Sequence, residues 1–274
     1  VTSWLSPARR LQFATLLAVW ALWELVGASG LLYNGVMPSM FLVAPALGRL
    51  ITSTVFWFNL SATGLEIGLA VGFGAVTGVL VGLLLGANRF LGAAFEPQLA
   101  ALAATPKIIL LPILYLMFGV GPASKVAIGA LACFVPVALS TASGMRQISP
   151  VLVWVGRSLD LSWWQMTHKI YLPALVEPIA TGLRIALGAA IVVCLIAEIK
   201  FSRIGLGAMV IDSFNRSRFA DVYALLIVLI TLAIAGNSLV NRLGSGTRVK
   251  LITPIGTAAH PSRSPSPEPI HTAR

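Results

Sequence analysis

Charge is what this chain has least of. Only 10% of its residues are charged, 57% are hydrophobic and the mean hydropathy is +0.90, against roughly 25% charged residues in soluble domains. That shortage excludes a soluble globular domain and marks a membrane chain. Histidine is scarcer still. His168, His260 and His271 are the three in the sequence, too few and too scattered for histidine-based chemistry within the membrane. The two cysteines, Cys133 and Cys194, each sit inside an apolar run with no second ligand-type residue at metal spacing. They read as small core residues, so no metal site is expected. Phosphate-binding loops, His-Glu-x-x-His, paired cysteines and nucleophile elbows are all missing. The chain is therefore not expected to be an enzyme, to hydrolyse ATP alone, or to hold a cofactor of its own.

The net charge of +10 comes from basic residues spread between apolar runs rather than gathered into a stripe. This excludes nucleic acid as the natural partner and makes the cations topology signals. The 274 residues supply several spans of about 20 residues each, with little left for a soluble domain. The expected fold is an all-α polytopic membrane protein of about six transmembrane helices: a cytoplasmic segment over 1–10, a transmembrane domain over 11–243 and a disordered tail over 244–274.

The first apolar run, about Leu11 to Leu32, follows Arg9 and Arg10. The same pattern describes a signal peptide cleaved near Ala28-Ser29-Gly30. The length of the run and Glu24 within it favour an uncleaved span. A loop with Pro38 and Pro45 and an amphipathic approach over Leu50 to Asn59 lead to a second span, Gly64 to Ala87. Two glycine ladders at four-residue spacing, Gly64-Gly68-Gly72 and Gly74-Gly78-Gly82-Gly86, return to one helix face and predict close helix packing. The third span, Gly92 to Phe118, carries Pro97, Pro106 and Pro112. Each proline removes a helical hydrogen bond, so this span is expected to be kinked or built of two pieces beside protein or a cavity. Further spans are Lys125 to Met145, Glu177 to Ile199 and Ala220 to Val240. The Pro- and Ser-rich end, with His260 and His271, cannot bury enough apolar surface to order itself.

With the N-terminus inside, eleven basic residues fall on cytoplasmic segments (Arg9, Arg10, Arg89, Arg146, Arg157, Lys169, Arg242, Arg248, Lys250, Arg263, Arg274). Six fall outside (Arg49, Lys125, Lys200, Arg203, Arg216, Arg218). The excess predicts an inner-membrane protein with both termini in the cytosol.

The segment Trp154 to Pro173 would then be cytoplasmic. Arg157, Ser158, Ser162, Gln165, Thr167, His168 and Lys169 alternate there with Leu159, Leu161, Trp163, Trp164, Met166 and Ile170, which predicts short amphipathic helices. Two readings apply: a surface that docks a partner, or a segment lying on the bilayer with its tryptophans among the lipid headgroups.

Ile170-x-Leu172-Pro173 ends that segment, and Arg157-Ser158-Leu159, Ser162, Trp164-Gln165 and Leu172-Pro173-Ala174-Leu175 stand within it. Elsewhere the chain carries Thr105-Pro106-Lys107, Leu111-Pro112, Phe118-Gly119-Val120-Gly121, Gly182-Leu183-Arg184 and Ala197-Glu198 followed by Gly205-Leu206-Gly207. In these features it resembles the permeases of ATP-binding-cassette importers, in the nitrate, sulfonate, taurine and bicarbonate branch, over Pro38 to Leu243. Trp154-Val155-Gly156 replaces that family's Glu-Ala-Ala, and Asp160 replaces its glycine. Such a glycine suits a left-handed turn, which Asp tolerates at about 1 kcal/mol.

The resemblance implies an importer permease fold, a second permease copy, an external solute-binding protein, and a separate ATP-binding subunit holding ATP and Mg. It further implies that Arg157, Asp160, Ser162, Trp163, Trp164, Gln165, His168, Lys169, Ile170, Leu172 and Pro173 form the ATPase-coupling loop. On this reading Ser162 to Lys169 is the coupling helix, with Trp163, Trp164 and Met166 in an apolar cleft and Arg157, His168 and Lys169 on its rim. The transported solute would be a small anion or sulfonate, although similar permeases serve pyrimidine precursors. The other class of function is an ATP-independent carrier or channel, which would need internal repeats and coupling-ion residues.

Pro106, Lys107, Arg184 and Glu198 are the candidates for the translocation path, since ionisable groups within spans face cavities or partners. Lys107 either attracts an anion or covers the carbonyls loosened by Pro106. Arg184 and Glu198 lie about 20 Å apart along one helix and cannot pair with each other. Each either lines the path or pairs with another element.

Overall fold

The structure, a computed structural model, describes residues 7–29 and 36–245, and all of its regular elements there are helical. Eleven α-helices occur among them: α1 (Pro7–Ala28), α2 (Met40–Thr52), α3 (Thr54–Ala87), α4 (Arg89–Ala104), α5 (Leu111–Phe118), α6 (Pro122–Arg146), α7 (Pro150–Ser158), α8 (Trp163–Met166), α9 (Leu172–Phe201), α10 (Leu206–Asn215) and α11 (Phe219–Ser245). A 3-10 turn, Lys107–Leu110, precedes α5, and a π turn, Thr167–Tyr171, joins α8 to α9. The tail beyond Ser245, with its two histidines, lies outside the described residues.

Five helices are long and apolar enough to cross a membrane, and α4 with the Lys107–Phe118 piece makes a sixth if the pair is one span bent by 93°. Helix packing decides that point. The ladder Gly74, Gly78, Gly82, Gly86 lies against Cys133, Val137, Thr141 and Met145 in that order, so α3 and α6 run parallel in a register of four against four. An added Cβ at Gly74 or Gly82 would stand 2.5 Å from a backbone carbonyl of α6. Only glycine permits this approach, and with no hydrophobic force between helices in lipid, the approach itself supplies the packing. Two parallel neighbours need a connection that returns across the bundle, and α4 with α5 is that connection. Of the three prolines expected to break the third span, Pro106 stands at the bend, while Pro97 lies inside α4 and Pro112 in the first turn of α5. The other ladder differs: Gly64, Gly68 and Gly72 are exposed and have nothing within reach of an added Cβ.

Helix α9 runs antiparallel to α6. Gly129 faces Cys194, Gly182 faces Ser140 and Gly144 faces Pro178. Both cysteines are fully buried, Cys194 in this seam and Cys133 against Gly74 of α3. The bundle therefore has one end carrying α7 and α8, called here the loop end, and a far end carrying α10. Ser53 divides the stretch expected to approach the second span, so that Pro45 lies inside α2 and α3 begins at Thr54. Glu24 holds α2 in place, accepting hydrogen bonds from the Ser39 hydroxyl (3.2 Å) and the Met40 N–H (2.9 Å). A carboxylate there also complements the helix dipole.

Candidate functional site

Two polar regions stand out, one at each end. At the loop end, α7 stops in a Schellman motif. Leu161 N–H donates to the Gly156 carbonyl (3.1 Å) and Asp160 N–H to that of Arg157 (3.0 Å). Asp160, at φ +49°, occupies the left-handed position at which such motifs favour glycine. Gly156 is buried where Met166 and Ile170 pack onto it, leaving no room for a Cβ. A Gly at the third place of Trp154-Val155-Gly156 is thus matched to a large Met on the second helix.

Helix α8 opens with a capping box. Gln165 N–H donates to the Ser162 hydroxyl (3.3 Å), and Ser162 N–H donates to Gln165 Oε1 (3.0 Å). The S-x-x-Q spacing carries this signal in the sequence itself. From α8 the chain passes through the π turn into α9 without a break, giving a helical rod over Trp163–Phe201, 39 residues long. The π turn suits Pro173, which cannot donate to the carbonyl four residues back. Leu172 N–H reaches the Thr167 carbonyl instead.

The expected apolar docking face needs one correction. Trp163 and Trp164 are 76% and 64% exposed, but Met166 is 7% exposed and turned inward onto Gly156. His168 stacks beside Trp164 with ring centroids 4.2 Å apart. Lys169 and Asp160 are exposed, while Ile170 is partly covered. Arg157 stands apart from His168 and Lys169, on the wall of a cavity between α4, α6 and α7.

At the far end, the N–H groups of the residue that caps α10 and of the helix's first two residues are taken up by side chains of other helices. Gly205 N–H donates to Asn59 Oδ1 (2.6 Å), Leu206 N–H to Thr63 Oγ1 (2.8 Å) and Gly207 N–H to Glu198 Oε2 (2.7 Å). Thr63 in turn donates to Glu198 Oε1 (2.7 Å). Glu198 is fully buried. Gly205, at φ +117°, and Gly207 have no room for a Cβ because the Glu198 side chain occupies it. Glu198, a path candidate from sequence, is placed inside a helix cap, the pairing alternative. Asn59 and Thr63 were missed. Their signal is Asn59-x3-Thr63-x2-Glu66, a polar stripe at helical spacing on an otherwise apolar span.

Beside this cap, Lys125 forms a buried ion pair with Glu66 (2.5 Å) and donates to Ser202 Oγ (3.1 Å). Its burial removes Lys125 from the outer loops to which the topology count assigned it. The pair borders a cavity of about 440 Å³ walled by Tyr115, Phe201 and Arg203 among others. Lys107 lies away from this cavity and donates to the Ala103 carbonyl (2.7 Å), covering an acceptor next to Pro106. Arg184 is exposed, with no hydrogen bond or ion pair among the described residues. The structure therefore does not bring the four path candidates together. Among the described residues no three His, Cys, Asp or Glu side chains converge on a metal-sized site.

Residues 74–249, from the glycine ladder through the loop to the last helix, match the family described as the binding-protein-dependent transport system inner membrane component. The chain belongs to that family. It is 29% identical to the putative aliphatic sulfonates transport permease protein SsuC of Bacillus subtilis (strain 168), over 76% of this chain and 75% of that one. It is 32% identical to the riboflavin transport system permease protein RibX of Chloroflexus aurantiacus, over 73% of each chain. The taurine transport system permease protein TauC of Escherichia coli (strain K12) is 30% identical over 56% of each. The chain is thus a multi-pass permease subunit of the importer family, in the branch that its motifs resemble. Its role is transport rather than catalysis.

Proposed function

We propose that this permease works as a pair of copies driven by ATP hydrolysis on separate subunits, passing a small anion or sulfonate received from an external binding protein. The observation that carries the reading is the rod Trp163–Phe201. Two exposed tryptophans stand at one end of it, and the α10 cap grips Glu198 near the other. A push on Trp163 and Trp164 is carried along one continuous helix to the far end, so docking at the loop can move the α10 region as a lever. His168 and Lys169 beside the tryptophans supply positive charge for an acidic rim.

The basic excess, eleven against five once Lys125 is withdrawn, supports a cytosolic loop end and cytosolic termini. The solute assignment rests on relatives named for sulfonates and taurine. A relative named for riboflavin keeps a larger solute in view as an experimental outcome.

Affinity purification of the full chain from its native membrane tests the docking. An ATP-binding subunit should accompany the wild type and be lost from the Trp163→Glu and Trp164→Glu variants at unchanged melting temperature. Uptake that follows membrane potential, with no ATPase recovered, would assign the chain to a carrier instead.

A further inference from the structure

A cavity of about 990 Å³ lies at the loop end, between α4, α6 and α7. Arg89, Arg146 and Arg157 line it against a single carboxylate, Glu96. Arg146 and Glu96 form a two-pronged ion pair, the Nη2–Oε2 contact being 2.7 Å. Gly92 leaves room for this pair beneath α4. Glu96 is thereby neutralised, and Arg89 and Arg157 remain with no hydrogen bond or ion pair from their side chains among the described residues. The other lining is apolar and low. Ala93, Pro97 and Ala100 form its apolar slot along α4, lined also by Leu139 of α6 and Trp154 of α7. Trp154, in this lining, and Phe90, next to Arg89 in the chain, are exposed at 64% and 78%.

A cationic pocket that opens onto an apolar slot is complementary to one kind of molecule: an anionic headgroup with acyl chains attached. We propose that this cavity binds an anionic phospholipid. Its phosphate sits between Arg89 and Arg157, its chains lie along Ala93, Pro97 and Ala100, and Trp154 stands at headgroup level. Arg157 belongs to α7, Arg89 to α4 and Arg146 to α6, so the lipid clamps the loop to the spans. The anchorage of the loop therefore depends on the charge of the surrounding leaflet. A soluble oxyanion would satisfy the arginines but leave the slot bare, and a neutral lipid would fill the slot but leave the arginines unpaired.

The test is native mass spectrometry of the full chain extracted from a 1:1 mixture of phosphatidylglycerol and phosphatidylcholine. Wild type should retain phosphatidylglycerol selectively. The double variant Arg89→Gln/Arg157→Gln should retain it roughly thirty-fold less well, by the usual contribution of two cations near an anionic surface. Arg9→Gln/Arg10→Gln, which removes the same charge from exposed positions on α1, should retain it like wild type. Neither cavity arginine holds another side chain in place, so the variant keeps the bundle's own contacts.

Equal retention by the cavity variant overturns the proposal, as does equal retention of the two lipids by wild type. Displacement of phosphatidylglycerol by sulfate, but not by chloride at matched ionic strength, would reassign the arginines to a soluble oxyanion. None of these readouts requires an ATPase partner, so failure here is distinguishable from failure of the importer reading.

Discussion

Thr63 on α3 donates its hydroxyl proton to Glu198 on α9 across 2.7 Å, while each accepts a backbone N–H of α10. Three elements are thus joined through a single buried hydroxyl. Thr63→Val keeps the shape, removes the donor from Glu198 and leaves Leu206 N–H without an acceptor. Orphaning a buried group costs about 1–3 kcal/mol, so a clear fall in melting temperature is expected in detergent. Thr63→Ser should recover most of it. A Val variant as stable as wild type would show that the cap contributes nothing.

Lys125 and Glu66 make the opposite kind of test, because their pair is buried at about 5% side-chain exposure on both sides. Removing one partner strands a charge, at about 3–5 kcal/mol, whereas replacing both by apolar residues is often neutral. Lys125→Met should therefore unfold far more easily than wild type, and Glu66→Leu/Lys125→Met should regain stability. Thermal unfolding of the single and double variants decides the point, and additive losses would refute the pairing.

Much of the fold was legible because lipid imposes simple rules. Apolar runs gave the spans, and the four-residue glycine spacing gave close helix packing for Gly74 to Gly86, though neither the partner α6 nor the open face of Gly64 to Gly72. The prolines gave the break in the third span. The direction of that span was not legible, since it follows from the parallel register of Gly74 to Gly86 on α6, a property of the pair and not of either helix. At the loop, Asp160 could be read as a turn residue and is found at φ +49°. The inward turn of Met166 could not be read, because apolar residues at this spacing serve a partner's cleft and the loop's own interior equally well. Glu198 illustrates the same limit. Its burial by Gly205 and Gly207 depends on a chain reversal that hydropathy does not record.

Gly156 and Met166 form a matched pair that can be taken apart. Gly156→Ala adds a methyl where Met166 already sits, and overpacking of this kind costs about 1–3 kcal/mol. The variant should lose ATPase co-purification and gain protease sensitivity in the loop. Met166→Ala in the same chain should restore both toward wild type. If Gly156→Ala alone behaves as wild type, the loop is not packed in this way.

Asp160 offers a gain instead of a loss. A non-glycine residue in the left-handed region costs about 1 kcal/mol, so Asp160→Gly should stabilise the loop and Asp160→Val should destabilise it. The rate of limited proteolysis between α7 and α8 would report both. Equal rates for the three chains would mean that the turn adopts another conformation.

The parallel register of α3 and α6 makes a topological prediction that needs no partner and no solute. If α4 and α5 return the chain across the membrane, Asn88 and Val120 must face opposite sides, although only 32 residues and a 93° bend separate them. Cys133 and Cys194 are fully buried, so they should stay silent toward a membrane-impermeant maleimide and provide a clean background. Asn88→Cys should react only in inside-out vesicles, as the proposed cytosolic loop end requires. Val120→Cys, exposed at 64% in the native chain, should react only in right-side-out cells. Labelling of both from one side would make the bent pair a re-entrant loop, which would place α3 and α6 antiparallel and break the glycine register.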